Sequence, residues 1–335
     1  MLIRPLGQSG IEASAVALGT WVMGGWMWGG ADESDSIDAV HAALDAGITL
    51  LDTAPIYGFG HSEIVVGRAI ADRRDKVVLA TKVGMVANAP GGRHMFRSTA
   101  AGPDENGHIP ISAYNHPDSV RQEVELSLKR MNTDRIDLIQ THWQEEDTPF
   151  EDTMGALVRL KEEGKVRAIG VCNATPEQMG RYRSVAPLDT DQEKFSMIDP
   201  DKADSGQNAY CASHNIAILA YSPLALGLLT GKIGPDRVFP EGDLRRNSKR
   251  FTAENRARVK ALLDTFEPIR DSHNCTIGQL VIAWTVHQPG LTHALVGART
   301  RAQALENAGA GRIALAPEHL ESMNKAVRAA TPDIV

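Results

Sequence analysis

The chain has few cysteines. Cys172, Cys211 and Cys275 are the three present among 335 residues, and no CxxC pair occurs. An odd, sparse set of this kind offers no disulfide framework and is typical of proteins from reducing compartments. We therefore expect a cytoplasmic protein without disulfide bonds.

Long hydrophobic runs are also missing. No stretch of 18 apolar residues occurs, whereas a transmembrane helix needs about 20. The first ten residues, MLIRPLGQSG, lack the apolar centre of a signal peptide. The sequence predicts no membrane association. Hydrophobic residues still make up 42% of the chain, which is enough to build a large core.

Positive charge is scarce. The 35 Lys and Arg residues are outnumbered by 42 Asp and Glu residues, so the formal net charge is −7. The nearest approach to a basic run is a short group mixed with polar residues: Arg245, Arg246, Lys249 and Arg250. Nucleic-acid-binding domains usually carry a basic patch, so we expect no nucleic-acid partner. A GxGxxG turn after a strand, the mark of a Rossmann domain, is missing too.

Short apolar runs alternate with helical patterns along the whole chain. The runs predict strands at 15–20, 48–53, 77–82, 136–142, 166–172, 188–195, 216–221 and 293–297. Helices are predicted at 33–46, 62–72, 118–131, 150–163, 175–184, 201–214, 252–271, 276–287, 301–308 and 317–330. Two apolar stretches around 7–10 predict an N-terminal hairpin. Eight alternations without a linker favour an α/β fold, a single (β/α)8 TIM barrel over residues 1–335.

Three segments are too long for plain connections: 21–32, 83–117 and 224–250. Each follows a predicted strand, so all three should rise on the C-terminal face of the barrel, where long loops are usually functional. The first contains Trp21, Trp26, Met27 and Trp28; the second contains Arg93, His94, Met95, Phe96, His108 and Tyr114. We expect these two loops to form an apolar substrate pocket with a few polar groups.

Four polar residues stand at or just beyond the ends of predicted strands: Asp52, Tyr57, Lys82 and His142. A phenol, an ammonium, a carboxylate and an imidazole in one pocket can transfer a proton. Tyr57 is the natural proton donor, and Lys82 is expected to lower its pKa from about 10. His142 can hydrogen-bond a substrate oxygen. Such a set protonates a carbonyl oxygen as it receives a hydride, which a cofactor must supply.

Several motifs occur in order: DTAPIYGFGHSE, LATK, IDLIQTHW, AIGVCN and AYSPLALGLLTGK. Together they resemble the aldo-keto reductase superfamily, from Leu6 to about Asn307. The segment GTWVMGGWMWGG resembles a bacterial subgroup of general-stress and inositol-related reductases. The resemblance implies a monomeric, NADPH-dependent enzyme that reduces aldehydes or ketones to alcohols. It also implies that the four polar residues are its catalytic tetrad, with the tyrosine as general acid.

The resemblance further implies which residues bind the cofactor. Asn173 and Gln192 would hold the nicotinamide carboxamide, and Tyr221 would stack on the ring. The backbone of 222–232 would bind the pyrophosphate, and Arg299 the 2′-phosphate of NADPH. The expected cofactor set is Thr20, Trp21, Asp52, His142, Asn173, Gln192, Tyr221, Ser222, Pro223, Leu224, Gly227, Leu228, Lys232, Gly297, Arg299, Gln303, Glu306 and Asn307.

One position departs from the family pattern. Gln303 stands where many members carry an arginine, so one phosphate-binding charge is missing, and NADH remains the alternative cofactor. The expected substrate contacts are Trp21, Trp26, Trp28, Tyr57, His142 and Trp143. Tryptophans in the first loop suit an aromatic, sugar or other cyclic carbonyl compound, while Arg93 and the histidines suit a hydroxylated one.

Three other functions stay open at this stage. The physiological direction could be oxidation of a sugar or polyol hydroxyl with NADP⁺. The protein could hold NADPH as a redox sensor. A metal-dependent barrel hydrolase would use His94, His108, His116 and His142, but these show neither HxH nor HExxH spacing, so we expect no metal site.

Overall fold

The structure is a computed structural model that describes residues 1–98, 108–199, 206–234 and 236–334. The chain starts with the predicted hairpin, in which β1 (Ile3–Pro5) pairs antiparallel with β2 (Glu12–Ser14). Leu6 and Ile11, between these strands, are buried in one cluster with Leu50 and Leu138 from barrel strands. The hairpin therefore closes the N-terminal opening of the barrel.

Eleven further strands follow in the described residues: β3 (Val16–Gly19), β4 (Leu50–Asp52), β5 (Val78–Val83), β6 (Met85–Ala87), β7 (Arg93–Arg97), β8 (Pro110–Ala113), β9 (Ile136–Thr141), β10 (Val166–Cys172), β11 (Thr190–Lys194), β12 (Ala217–Tyr221) and β13 (Leu291–Gly297). Eight of them form a closed parallel barrel in the order β10-β11-β12-β13-β3-β4-β5-β9. This confirms the predicted (β/α)8 barrel.

The α-helices of the described residues are α1 (Glu33–Asp45), α2 (His61–Ile70), α3 (Pro117–Met131), α4 (Phe150–Glu162), α5 (Pro176–Arg183), α6 (Gln207–Ser213), α7 (Ala253–Asp264), α8 (Glu267–Ser272), α9 (Ile277–His287), α10 (Arg301–Ala310) and α11 (Pro317–Ala330). The predicted helix 252–271 is divided into α7 and α8. Pro268 cannot stand in the interior of a continuous helix, but it fits the first turn of α8. Part of the predicted helix 201–214, residues 201–205, lies outside the described residues. No helix of the described chain is long and apolar enough to span a bilayer.

The long segment 83–117, expected to be a loop, contains an antiparallel sheet in the order β6-β8-β7. Gly84, with φ +82°, separates barrel strand β5 from β6, a conformation that glycine adopts without strain. Ile109 and Ile111 are buried against Ala54 and Ile56 beside the barrel mouth. This apolar contact anchors the sheet beside the C-terminal face, while residues 99–107 of the segment lie outside the described part.

The barrel interior changes from apolar to polar towards its C-terminal end. Because side chains alternate along a strand, residues two apart point the same way. Leu50 precedes Asp52 on β4, and Leu138 precedes Gln140 on β9; the leucines belong to the interior cluster and the polar residues are also buried. The sequence thus places a buried polar layer directly under the mouth of the barrel.

Candidate active site

Lys82 is the centre of the polar layer. Its Nζ donates to Asp52 Oδ2 at 2.7 Å, to the carbonyl of Thr53 at 2.9 Å and to Tyr57 Oη at 3.3 Å. Burial acts to lower the pKa of Lys82, but the charges of Asp52 and Tyr57 outweigh it and raise the pKa above its ordinary value. The side chain is therefore an ammonium held between a carboxylate and a phenol.

Tyr57 lies in the turn after β4, where its backbone N–H donates to Ala54 O at 3.1 Å. Its ring stacks on Trp21, with 6.1 Å between centroids. Burial raises the pKa of Tyr57 to about 12, and Lys82 offsets only part of this increase. The expected net decrease is therefore not found in the protein alone, because the sequence cannot show how deeply the phenol is buried. Tyr57 carries its proton at neutral pH.

His142 follows β9 directly and faces the same pocket. Its backbone N–H donates to Val83 O at 2.8 Å, and its ring meets the Tyr57 ring edge-on with 5.9 Å between centroids. Burial, and after it the charge of Lys82, lower the pKa of His142 well below its ordinary value. The neutral imidazole can donate one hydrogen bond to an oxygen placed beside Tyr57.

A cleft of about 800 Å³ opens above these residues at the barrel mouth. All six expected substrate contacts line it, from Trp21 to Trp143. Every expected cofactor residue lines it as well, with the exception of Leu228. Leu228 is only 3% exposed and packs in the core. With the exception of Leu228, the cofactor and substrate residues named from the sequence are thus brought together around one cleft.

A tyrosine joined to a buried lysine and aspartate, under a cleft at the barrel mouth, agrees with the resemblance seen in the motifs. The family model described as "Aldo/keto reductase family" matches residues 15–328. The chain belongs to the aldo-keto reductase family. It is an NAD(P)H-dependent oxidoreductase of that family.

Two curated relatives resemble this aldo-keto reductase over most of its length. Aldo-keto reductase YhdN of Bacillus subtilis is 40% identical over 306 residues, covering 89% of this chain and 85% of the relative. The NADH-specific methylglyoxal reductase of Escherichia coli is 36% identical over 324 residues, covering 93% and 94%.

Solved structures show the same architecture. The glycerol dehydrogenase of Gluconobacter oxydans superposes with a TM-score of 0.85 at 37% identity, covering 99% of this chain and 97% of that one. An aldo/keto reductase from Klebsiella pneumoniae, in complex with NADP and acetate, superposes with a TM-score of 0.67 at 26% identity, covering 95% and 93%.

One arm of the cleft fits the diphosphate of a nicotinamide dinucleotide. Just after β12, Ser222, Ala225, Leu226 and Gly227 all have positive φ. Left-handed residues next to right-handed ones can turn consecutive N–H groups to the same side, which makes an anion-binding hollow. Four cations line the same arm: Lys232, Arg237, Arg245 and Arg299. Backbone donors and positive charge together suit phosphate.

Not all of these cations are equally available. Lys232 forms an ion pair with Glu306, and Arg245 forms one with Asp243 at 2.6 Å. Within the described part of the chain, Arg237 and Arg299 make no ion pair with a carboxylate. Lys232 and Glu306, both expected to touch the cofactor, therefore contact each other in the protein alone.

Arg299 also links the first loop to the cleft. Its guanidinium donates to Trp28 O at 2.6 Å and to Gly30 O at 3.2 Å. Arg299 and Arg245 both lie over the Trp28 ring, 5.6 and 5.1 Å from its centroid. Gln303 Oε1 accepts from the backbone N–H of Arg299 at 2.8 Å. Sequence reasoning missed Arg245, since nothing in the long segment 224–250 sets it apart.

Two amides lie beside the four polar residues at the barrel mouth. Asn173 donates to His142 O at 3.1 Å and accepts from the Tyr221 hydroxyl at 3.0 Å. Gln192 donates to Asp52 Oδ1 at 2.9 Å. Both NH₂ groups donate within the protein, and an amide oxygen can accept two hydrogen bonds, so the Asn173 oxygen can accept from a ligand in addition to Tyr221. This arrangement fits the NH₂ of a nicotinamide carboxamide.

The wall nearest Tyr57 is apolar. Besides the tryptophans, it contains Ile56, Met85, Met95 and Phe96, and Trp26 stacks on Phe96 with 6.2 Å between centroids. Neighbouring strand residues normally point to opposite faces, but the register of β7 shifts between His94 and Phe96. Such an irregularity lets Met95 and Phe96 both line the cleft.

The polar residues expected from segment 83–117 do not line the cleft. Arg93 is exposed and donates to Gln144 O at 2.9 Å, His94 is exposed, and Tyr114 stacks on His116. Among the described residues, no three His, Cys, Asp or Glu side chains are grouped so as to hold a metal ion. The geometry needed by the hydrolase alternative is therefore not found in this part of the chain.

Proposed function

We propose that the protein is an NADPH-dependent reductase that converts aldehydes or ketones to alcohols, reversibly, with Tyr57 as the general acid. The observation that carries this proposal is the position of Lys82 Nζ, 2.7 Å from Asp52 Oδ2 and 3.3 Å from Tyr57 Oη. Carbonyl reduction needs a proton donor, a charge that stabilises the donor's anion, and a hydrogen bond to the oxygen. Tyr57, Lys82 and His142 would supply them.

The residues would act in a simple sequence. His142, neutral because of burial beside Lys82, donates a hydrogen bond that holds the carbonyl oxygen near Tyr57. The bound nicotinamide supplies the hydride. As negative charge grows on the oxygen, Tyr57 gives up its proton, and the ammonium of Lys82 stabilises the tyrosinate that remains. Asp52 keeps Lys82 charged and aimed at the phenol.

We propose NADPH as the cofactor and NADH as the alternative. The carboxamide would meet the oxygens of Asn173 and Gln192, and the diphosphate would meet the backbone after β12. Arg299 would meet the 2′-phosphate, as it lines the cleft without a carboxylate partner among the described residues. The Klebsiella pneumoniae structure with NADP supports this preference. The NADH-specific Escherichia coli relative and the missing charge at Gln303 support the alternative.

The apolar wall supports reduction of a carbonyl compound that carries an aromatic or other apolar group. Ile56, Met85, Met95 and Phe96 offer no hydrogen bonds to a polyol. Oxidation of a sugar or polyol with NADP⁺ remains the alternative direction, supported by the likeness to a glycerol dehydrogenase.

We further propose a monomeric, single-domain, cytoplasmic protein whose partners are small molecules. All three cysteines are free thiols, and Cys172 and Cys211 are buried, which agrees with a reducing compartment. Light scattering of the purified protein at micromolar concentration would give a mass near twice that of one chain if the monomer proposal were wrong.

The deciding experiment follows NADPH consumption with a panel of aldehydes and ketones, comparing wild type with Tyr57→Phe. We expect kcat to fall at least about 100-fold in the variant, because general acid catalysis contributes about 10² to 10⁴. Tyr210→Phe is the matched control: Tyr210 lies on α6 outside the cleft lining, and its hydroxyl accepts a hydrogen bond from Arg183 at 3.2 Å. Its kcat should equal that of wild type.

Each contradicting result has a definite meaning. If Tyr57→Phe turned over as fast as wild type, Tyr57 would not be the general acid. Faster oxidation of polyols with NADP⁺ than reduction of any carbonyl would establish the reverse direction. A wild-type protein that binds NADPH but turns over neither class of compound would support the redox-sensor alternative.

A further inference from the structure

Gln140 is a fully buried polar residue in the middle of the barrel. It lies on β9, two residues before His142, and is 0% exposed. It pairs in register with Lys82 on β5 and with Gly170 on β10. Gln140 does not line the cleft, so it would touch neither cofactor nor substrate.

The amide of Gln140 contacts the half of Asp52 that Lys82 leaves free. Asp52 Oδ2 accepts from Lys82, while Oδ1 accepts from Gln192 Nε2 at 2.9 Å and from Gln140 Nε2 at 3.4 Å. The Gln140 oxygen in turn lies 3.4 Å from Thr190 Oγ1 and 3.5 Å from Gln192 Nε2. Both ends of the Gln140 amide are therefore engaged, and its orientation is defined.

The backbone makes room for this network. A Cβ on Gly170 would lie 2.0 Å from Thr190 Oγ1 and 3.2 Å from Gln140 Cγ. Any side chain at position 170 would therefore push Thr190 away from the Gln140 amide that it contacts. Because glycine has no side chain, Gln140 on β9 can reach Thr190 on β11 across β10.

We propose that Gln140 is a positioning residue that, together with Thr190 and Gln192, fixes the carboxylate of Asp52. The inference rests on the proposed function, because its purpose is to aim Lys82 at Tyr57. Loss of the Gln140 amide would leave Asp52 Oδ1 with Gln192 as its donor and would remove the partner that holds the Gln192 amide, so the carboxylate would be free to rotate or to draw Lys82 closer. Either movement would alter the distance from Lys82 Nζ to Tyr57 Oη, which is 3.3 Å.

The test replaces the amide with a carboxyl of the same shape, in Gln140→Glu. The titratable groups around position 140 are Asp52 on β4, Lys82 on β5, Tyr57 beyond β4, His142 just after β9 and Cys172 on β10, which are coupled electrostatically through Lys82. While protonated, the new carboxyl can donate to Asp52 as the amide does. Once ionised, it faces Asp52 as a second buried negative charge.

We expect the ratio of variant to wild-type kcat to depend on pH. It should stay within about threefold of unity at pH 5.5 and fall more than about tenfold by pH 8.5, because deprotonation then breaks the network. Gln207→Glu is the matched control. Gln207 is also buried and donates to the carboxylate of Asp191, but it lies outside the barrel on α6. Its kcat ratio should not change with pH.

A ratio for Gln140→Glu that does not vary with pH would overturn the proposal, as would an equal fall in Gln207→Glu. A second arm needs no turnover, so it separates this inference from the proposed function. Urea unfolding of the cofactor-free protein is measured in two double-mutant cycles. The first combines Gln140→Met with Thr190→Val, and the second combines Gln140→Met with Asp52→Asn. In both cycles the effect of the double variant on the urea midpoint is expected to differ from the sum of the single effects, and simple additivity in both would overturn the proposal.

Discussion

Lys82 and Tyr57 show how the ionisation of single residues depends on their neighbours. Lys82 is fully buried and charged, and Tyr57 is partly buried and protonated. Asp52 supplies Lys82 with an opposite charge at 2.7 Å, so the pKa of Lys82 rises despite burial. Lys82 offsets only part of the effect of burial on Tyr57, so the pKa of Tyr57 still rises to about 12. The pair is thus prepared to donate a proton.

Arg299 carries the proposed preference for NADPH. We expect Arg299→Ala to raise KM for NADPH about tenfold or more, because a charge-assisted hydrogen bond to phosphate contributes about 1.5–3 kcal/mol. KM for NADH should change less than about twofold. Steady-state kinetics with both cofactors measures this.

The control for that measurement is Arg301→Ala. Arg301 is an exposed residue at the start of α10 and does not line the cleft. Equal increases with both cofactors in Arg299→Ala would mean that Arg299 acts through its hydrogen bonds to Trp28 and Gly30 rather than by reading the phosphate.

At the scale of elements, the sheet β6-β8-β7 forms one wall of the proposed substrate site. Its strands are short, and β7 is irregular. The composition of segment 83–117 predicted that both aromatic and polar side chains would contact the substrate. In the structure, the sheet turns Arg93 and His94 outward to the solvent. Pairing between strands decides which side chains line a cleft, and loop composition does not reveal it.

Phe96 is the residue of β7 through which this wall should select substrates. We expect Phe96→Ala to raise KM for an aromatic aldehyde such as benzaldehyde about fivefold to tenfold, because one lost apolar contact costs about 1–3 kcal/mol. KM for a short aliphatic aldehyde such as propanal should stay nearly constant. The kinetics of both substrates give the comparison.

His94→Ala serves as the control, since His94 is on the same strand but exposed. If Phe96→Ala affected both aldehydes equally, the wall would not contact the aromatic group. If His94→Ala also raised KM for benzaldehyde, any change in β7 would disturb the site.

At the scale of the whole molecule, the barrel contains buried groups that resist ionisation. His293 on β13 is 0% exposed, and Arg4 lies near it from the N-terminal hairpin. Burial, and then the charge of Arg4, lower the pKa of His293 to about 4. The folded protein keeps this imidazole neutral at pH values where the unfolded chain binds a proton.

The free energy of unfolding should therefore fall as the pH drops below about 6.5 and level off near pH 4. Above this window the contribution of His293 is fully present; across it, on the order of 3 kcal/mol is lost. Urea unfolding between pH 4 and 7.5 should show a shallower pH dependence in His293→Gln than in wild type. The exposed control His94→Gln should follow wild type, and an unchanged slope in His293→Gln would contradict the assignment.

Much of the architecture was predictable from local patterns. Short apolar runs and helical periodicity predicted all eight barrel strands, because each strand is buried and each helix has one apolar face. Helix ends were clear where capping residues occur, as at Thr175 and Thr276, each of which forms a capping box. The break between α7 and α8 was missed although Pro268 marks it, since the periodic pattern continues across it.

Some site residues were likewise predictable from local patterns, and others were not. Asp52, Lys82 and His142 were predictable because they stand at the ends of consecutive parallel strands, which meet at one end of a barrel. Gln140 was missed, although its position two residues before His142 places it on the same face of β9. The pairing of Arg299 with the first loop, and of Lys232 with Glu306, joins segments far apart in the chain, so no local pattern predicts it.

The sequence by itself determined the barrel, its family and the four polar residues proposed as the tetrad, because periodicity and motif spacing are properties of neighbouring residues. Only the tertiary structure decided that burial raises the pKa of Tyr57, that the amides of Gln140 and Gln192 point to Asp52, and that an apolar sheet forms one wall of the site. These properties depend on burial and on distances between segments far apart in the chain. Both arise when the barrel closes.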